Sequence, residues 1–156
     1  MVATDPQDIF YFAYGSNMDV DRKQDRTGRI REARRARLRR YRLAFNKRAQ
    51  GGGVYANIVH SDSDDVWGVV YRCDPHAMEA LDSYEGVDAG HYQRAPVSIL
   101  LDNGSSVEAE TYVAGERFLC PEGSPPRDYL ERMLRGARHH GLPDAYIRRV
   151  ESARRG

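Results

Sequence analysis

The sequence predicts an α+β domain built around a curved, largely antiparallel sheet. Three observations carry that reading. Strand-like segments crowd the middle of the chain, turn signals join several of them at hairpin spacing, and helical stripes close the C-terminal part. Ile9–Ala13 is an apolar, aromatic run that reads as a buried strand, and Asn17 to about Arg26 as the helix that follows it. Leu38–Phe45 comes next, its Tyr41, Leu43 and Phe45 alternating with Arg40, Arg42 and Ala44. Val54–His60 and Val66–Cys73 extend this into a meander, joined through "NKRAQGGG" and "SDSDD", whose Gly, Ser and Asp content suits hairpins. Asp74 can cap, and Pro75 begin, a helix carrying Met78, Leu81 and Tyr84 that ends near Gly86. Tyr92–Leu101 and Val107–Ala114 then flank Asn103-Gly104, a strong hairpin signal. Ser124-Pro125-Pro126 opens a helix with Leu130, Met133, Leu134 and Ala137 on one stripe, closed by Gly141. Pro143 starts a terminal helix with Tyr146, Ile147 and Val150. The pattern alone leaves open whether the sheet closes into a barrel.

A chain of 156 residues reads as one domain, 1–156, large enough to bury a core without staples. Mean hydropathy of −0.72, the absence of a membrane-length apolar run and an N-terminus without a signal-peptide core predict a cytoplasmic protein with no membrane partner. Cys73 and Cys120 form no Cys-x-x-Cys unit, which fits reduced thiols. The formal net charge is only +1, but "RTGRIREARRARLRRYRLAFNKR" is strongly basic and "HSDSDDVW" acidic. Alternation within the basic run favours a strand with one wet face over a nucleic-acid footprint. No nucleic-acid partner is expected.

The chemistry-bearing motifs are few. His139 and His140 are adjacent on a helix and point about 100° apart, and His60, His76 and His91 fit no ligand spacing, so no metal site is expected. There is no Walker loop, dinucleotide fingerprint or Gly-x-Ser-x-Gly elbow. "FYFAYGSNMD" instead places Tyr14-Gly15-Ser16-Asn17 where a core strand gives way to a turn. Such a corner is either a well-capped helix start or an anion site built from free N–H groups. "ALDSYEGVDAGHYQR" places Glu85 at a helix C-terminus, just before Gly86. A glutamate there is ordinarily solvated. The negative helix end and the neighbours Tyr84 and Tyr92 could instead raise its pKa and tune a general base.

Taken together, "YFAYGSN", "DDVWGVVYR", "LDSYEGVDAGHYQR" and "SPPRDYLERMLRGARHHGLPDAYIRRV" resemble the γ-glutamylcyclotransferase family, in order, from about Phe10 to Val150. The resemblance implies a small β-barrel with flanking helices. It also implies release of 5-oxoproline from a γ-glutamyl amide or dipeptide, by attack of the substrate's α-amine on its own γ-carbonyl. No cofactor is implied, because nucleophile and electrophile share one molecule. By the same resemblance Glu85 is the catalytic acid/base, and Tyr14, Gly15, Ser16 and Asn17 form the substrate-binding corner. Tyr92 and Tyr112 match the family's pocket tyrosines, although core aromatics are an equal reading of both. Branches specific for glutathione or γ-glutamylamines usually carry Tyr-Gly-Ser-Leu or Tyr-Gly-Thr-Leu. Asn17 therefore points to the γ-glutamyl–amino acid type or to antibiotic-biosynthesis relatives that remove a γ-glutamyl group. The rival readings are a γ-glutamyl hydrolase or transferase using Ser16 covalently, and a non-catalytic binding module. A homodimer and the leaving amine stay open, the latter because "AGERFLCPEGSPP" departs from the family pattern.

Overall fold

The computed structural model describes residues 6–28 and 32–155. Five strands form it: β1 (Ile9–Ala13), β2 (Ala33–Arg48), β3 (Val54–Cys73), β4 (Tyr92–Leu101) and β5 (Ser106–Ala114). They close a barrel in the order β1-β3-β2-β4-β5. Every neighbouring pair is antiparallel except β1 and β5, which run parallel and meet at Tyr11 and Glu110. The helices α1 (Val20–Thr27), α2 (Pro75–Tyr84), α3 (Arg127–His139) and α4 (Asp144–Glu151) flank it. None of the described helices is long and apolar enough to cross a membrane. The β-branched run of β3 supplies Val66, Val69 and Val70 to a core shared with Phe12, Tyr71, Ile58 and Ile99.

Two expectations are corrected. "SDSDD" is not a hairpin, because Val54–Cys73 is one strand whose two halves both pair with β2. Register breaks between Arg39↔Asp65 and Tyr41↔His60, so residues 61–64 bulge out opposite Arg40, whose φ is +65°. Ser61 Oγ donates to Asp64 Oδ2 at 2.7 Å inside that bulge, so the turn-forming residues serve a bulge instead of a chain reversal. The helix expected from Asn17 is also interrupted. Ser16–Met18 is a 3₁₀ turn, Asp19 is extended, and α1 begins at Val20.

α3 explains the interruption. Leu130, Met133, Leu134 and Ala137 bury its apolar stripe, and the adjacent Gly136 rests on the 3₁₀ turn. A Cβ on Gly136 would lie 2.3 Å from the Met18 carbonyl carbon, so only glycine permits this approach. Arg132 and Arg135 hold the buried carboxylate of Asp19. The strand reading of the basic stretch holds and extends back to Ala33, with residues 29–31 outside the described ones. Several of its arginines pair with acids, among them Arg35 with Asp102, Arg37 with Asp65 and Arg42 with Glu122.

Candidate active site

The chain leaves β1 at Ala13, passes Tyr14 and Gly15, and turns at Ser16–Met18 beside the C-terminal end of α2. Between them opens a cavity of about 430 Å³. All seven residues expected from sequence border it: Tyr14, Gly15, Ser16, Asn17, Glu85, Tyr92 and Tyr112. Glu85 directly follows α2, and its N–H bonds back to Leu81. Its side chain is 15% exposed.

Asn17 organises the carboxylate. Its Nδ2 donates both to Glu85 Oε1, at 3.0 Å, and to the Tyr11 hydroxyl, at 2.9 Å, while its Oδ1 accepts from Arg26 at 3.0 Å. Arg26 can only donate, so the amide is fixed in this orientation. Arg26 also stands 3.7 Å from Glu85 Oε1, and its guanidinium lies over the ring of Tyr84. Burial raises the Glu85 pKa above the ordinary carboxylate value, against the pull of Arg26, the Asn17 hydrogen bond, Arg22 and Lys47. Tyr84, at 57% exposed, is an outer wall beneath Arg26 and provides little of that burial.

Three of the tyrosines spend their hydroxyls on the protein. Tyr14 donates to the Tyr112 carbonyl, Tyr92 to the Ala56 carbonyl at 2.8 Å, and Tyr112 to Asp82 at 2.6 Å. Asp82 is in turn clamped by both nitrogens of an Arg94 fork at 2.7 Å each. Burial pushes the Tyr14, Tyr92 and Tyr112 pKa values up, and the Glu85 charge adds to this, so these rings are fixed walls that keep their protons. Ser16 Oγ has no His or carboxylate hydrogen-bonded to it among the described residues, so nothing there activates it as a nucleophile. The described residues also contain no cluster of three His, Cys, Asp or Glu side chains able to hold a metal ion.

Sequence reasoning missed Tyr11, Arg22, Arg26, Lys47 and Tyr129 on this cavity. Tyr129, on α3, accepts from the Ala56 N–H at 3.2 Å. Its oxygen occupies the space a Gly15 side chain would need, 2.7 Å from an added Cβ. The signal was present: Tyr129, Met133 and Gly136 recur at helical spacing on one face of α3. Nothing local marks Lys47 or Arg26, whose roles depend on distant partners.

Comparison with known proteins shows what the chain is similar to. The model of the AIG2-like family matches residues 65–150. The human protein named gamma-glutamylcyclotransferase is 30% identical over 155 residues, covering 95% of this chain and 80% of that protein. Its Bos taurus counterpart is 31% identical with the same coverage. A solved structure named gamma-glutamyl cyclotransferase superposes with a TM-score of 0.85 at 28% identity, covering 93% of this chain and 87% of the other. Relatives 30% and 31% identical, matched over 95% of this chain and 80% of their own length, lead to one conclusion: the chain belongs to the γ-glutamylcyclotransferase family.

Proposed function

We propose that the chain is an active γ-glutamylcyclotransferase that releases 5-oxoproline and a free amine from a γ-glutamyl amide, with Glu85 as general base and then general acid. The observation that carries this reading is a glutamate held by Asn17 and Arg26 in a tyrosine-walled cavity, its pKa raised by burial. A raised pKa makes the carboxylate a better proton acceptor and brings it nearer working pH.

The substrate's α-carboxylate docks at the Gly15–Asn17 backbone, facing Arg22 and Arg26. Glu85 takes a proton from the α-ammonium. The freed amine then attacks the γ-carbonyl carbon, forming the ring C–N bond of the lactam. As the bond to the leaving nitrogen breaks, Glu85 gives that proton to it and takes the second proton from the ring nitrogen, which the departing amine carries off as its ammonium. Both reacting groups lie in one molecule, so holding the folded conformer supplies much of the acceleration, up to about 7–11 kcal/mol for well-oriented pairs. The fixed rings of Tyr14, Tyr92 and Tyr112 define the space in which that conformer fits.

Mass spectrometry of the products tests the reading. γ-Glutamylalanine should yield 5-oxoproline and alanine; glutamate as the product would favour a Ser16 hydrolase. Replacing the α-amine by hydroxyl should leave only slow turnover, to the cyclic lactone, and replacing it by hydrogen should stop turnover. Cleavage of the des-amino compound to its open acid at a rate near the parent's would overturn cyclisation.

A further inference from the structure

Lys47 is the one charged side chain of the cavity wall that ends in a ring of aromatic groups. It is 3% exposed, and its Nζ lies 5.0 Å, 5.2 Å and 5.7 Å from the ring centroids of Phe118, Tyr92 and Tyr55. An ammonium has three donors. One reaches His91 Nδ1 at 2.8 Å, and no carboxylate among the described residues stands within ion-pair distance of it. Burial pulls the Lys47 pKa down against the charge of Glu85, and burial together with the Lys47 charge pulls His91 down, so His91 is the neutral acceptor of the pair. His91 is itself held by stacking on Phe118, with centroids 3.9 Å apart, and by packing against Gly86. Two ammonium donors are left for whatever fills the cavity.

The position of this pair sets what that filler is. Gln50 and His91 border both the main cavity and a second depression of about 380 Å³, which Arg48, Arg117 and Phe118 complete. The exit from the main cavity on this side is therefore cationic. Glu85 and the Tyr14–Asn17 corner already account for the glutamyl end of a substrate under the function proposed above, on which this inference rests. We propose that Lys47, aimed by His91, is a specificity-determining residue that binds a carboxylate on the leaving group, so that γ-glutamyl amides of amino acids are preferred over those of neutral or cationic amines. A carboxylate supplies a hydrogen-bonded counter-charge to a buried ammonium that Glu85 offsets only from beyond ion-pair distance, whereas a polyamine or aminosugar would bring a second cation into the same space.

Binding of unreactive ligands separates this from catalysis. N-Glutarylalanine and N-glutarylalaninamide lack the α-amine, cannot form the lactam, and differ only in the leaving-group carboxylate. Calorimetric titration should show wild-type protein binding the acid about ten- to a hundredfold more tightly than the amide, the range for a hydrogen-bonded buried charge. Lys47→Met should bring that ratio close to one, and His91→Ala, which keeps the charge but releases its aim, should reduce it severalfold. Each ratio is internal to one folded variant, verified by its melting curve. A preference retained in Lys47→Met, or both ligands weakened equally because Lys47 holds the glutamyl carboxylate, overturns the proposal. Failure of γ-glutamylalanine to yield 5-oxoproline would strike the proposed function and leave this binding ratio as the measure of Lys47.

Discussion

Glu85 is a residue asked to be charged where charge is disfavoured. Burial raises its pKa, so in the folded protein its ionised form is less favourable than in the unfolded chain. That penalty is absent below the ordinary carboxylate pKa. It grows as pH rises and is complete above the folded-state pKa. Glu85→Gln resembles the protonated acid and escapes the penalty, so its melting temperature at neutral pH should exceed that of the wild type. Turnover should meanwhile fall by about 10²–10⁴, the range for loss of a general acid–base. Wild-type kcat/KM should rise with pH through the Glu85 pKa, and this limb should be missing in the variant. A Glu85→Gln enzyme with near wild-type kcat removes Glu85 from the chemistry. Asn17 has a different part: it touches Tyr11, Arg26 and Glu85 at once, which gives a structural reason for asparagine at a position where leucine could make none of these bonds.

Among the elements, α3 decides the shape of the corner. Gly136 meets the backbone at Met18 and Asp19, Tyr129 fills the space beside Gly15, and Arg132 and Arg135 hold Asp19. Gly136→Ala would place a methyl group against backbone that cannot rotate away. It should cost about 1–3 kcal/mol of stability, the usual penalty for overpacking, and lower kcat/KM by displacing Asn17 from Glu85. Chemical denaturation and steady-state rates on the same sample check both. Unchanged activity would show that α3 does not position the corner. The sequence made α3 legible through its stripe, and Tyr14–Asn17 and Glu85 through their motifs, because those signals are local. It misled at "SDSDD", where turn-forming composition cannot distinguish a reversal from a bulge without knowing that both flanks pair with β2. It misled at Asn17 because the break at Asp19 is imposed by a helix more than a hundred residues away in sequence. The cause of the Glu85 shift was also partly misassigned, since burial by the whole cavity outweighs anything Tyr84 contributes.

For the molecule as a whole, the cavity depends on the seam where β5 returns to β1. That seam carries the one parallel pairing of the barrel, and side chains reinforce it. Thr111 Oγ1 donates to the Phe12 carbonyl at 2.8 Å, and the Tyr14 hydroxyl donates to the Tyr112 carbonyl. Thr111→Val keeps the volume but leaves a buried carbonyl with one partner fewer, at about 1–3 kcal/mol. Hydrogen exchange should quicken in β1 and β5 while the β2–β3 ribbon stays protected. Uniform loosening of all strands would mean that the seam is not a separate weak point.

The Asp19–Arg135 contact, which holds the corner in place, also has a consequence in time. It closes a loop of 116 residues, and the Tyr129 oxygen must arrive beside Gly15 across a similar span. Loops of that length are slow to close, and synthesis runs from the N-terminus. A growing chain therefore carries Tyr14–Asn17 before Glu85 and Glu85 before α3, yet it owns no finished corner until α3 has emerged and docked. The corner's own residues are made well before the helix that completes it.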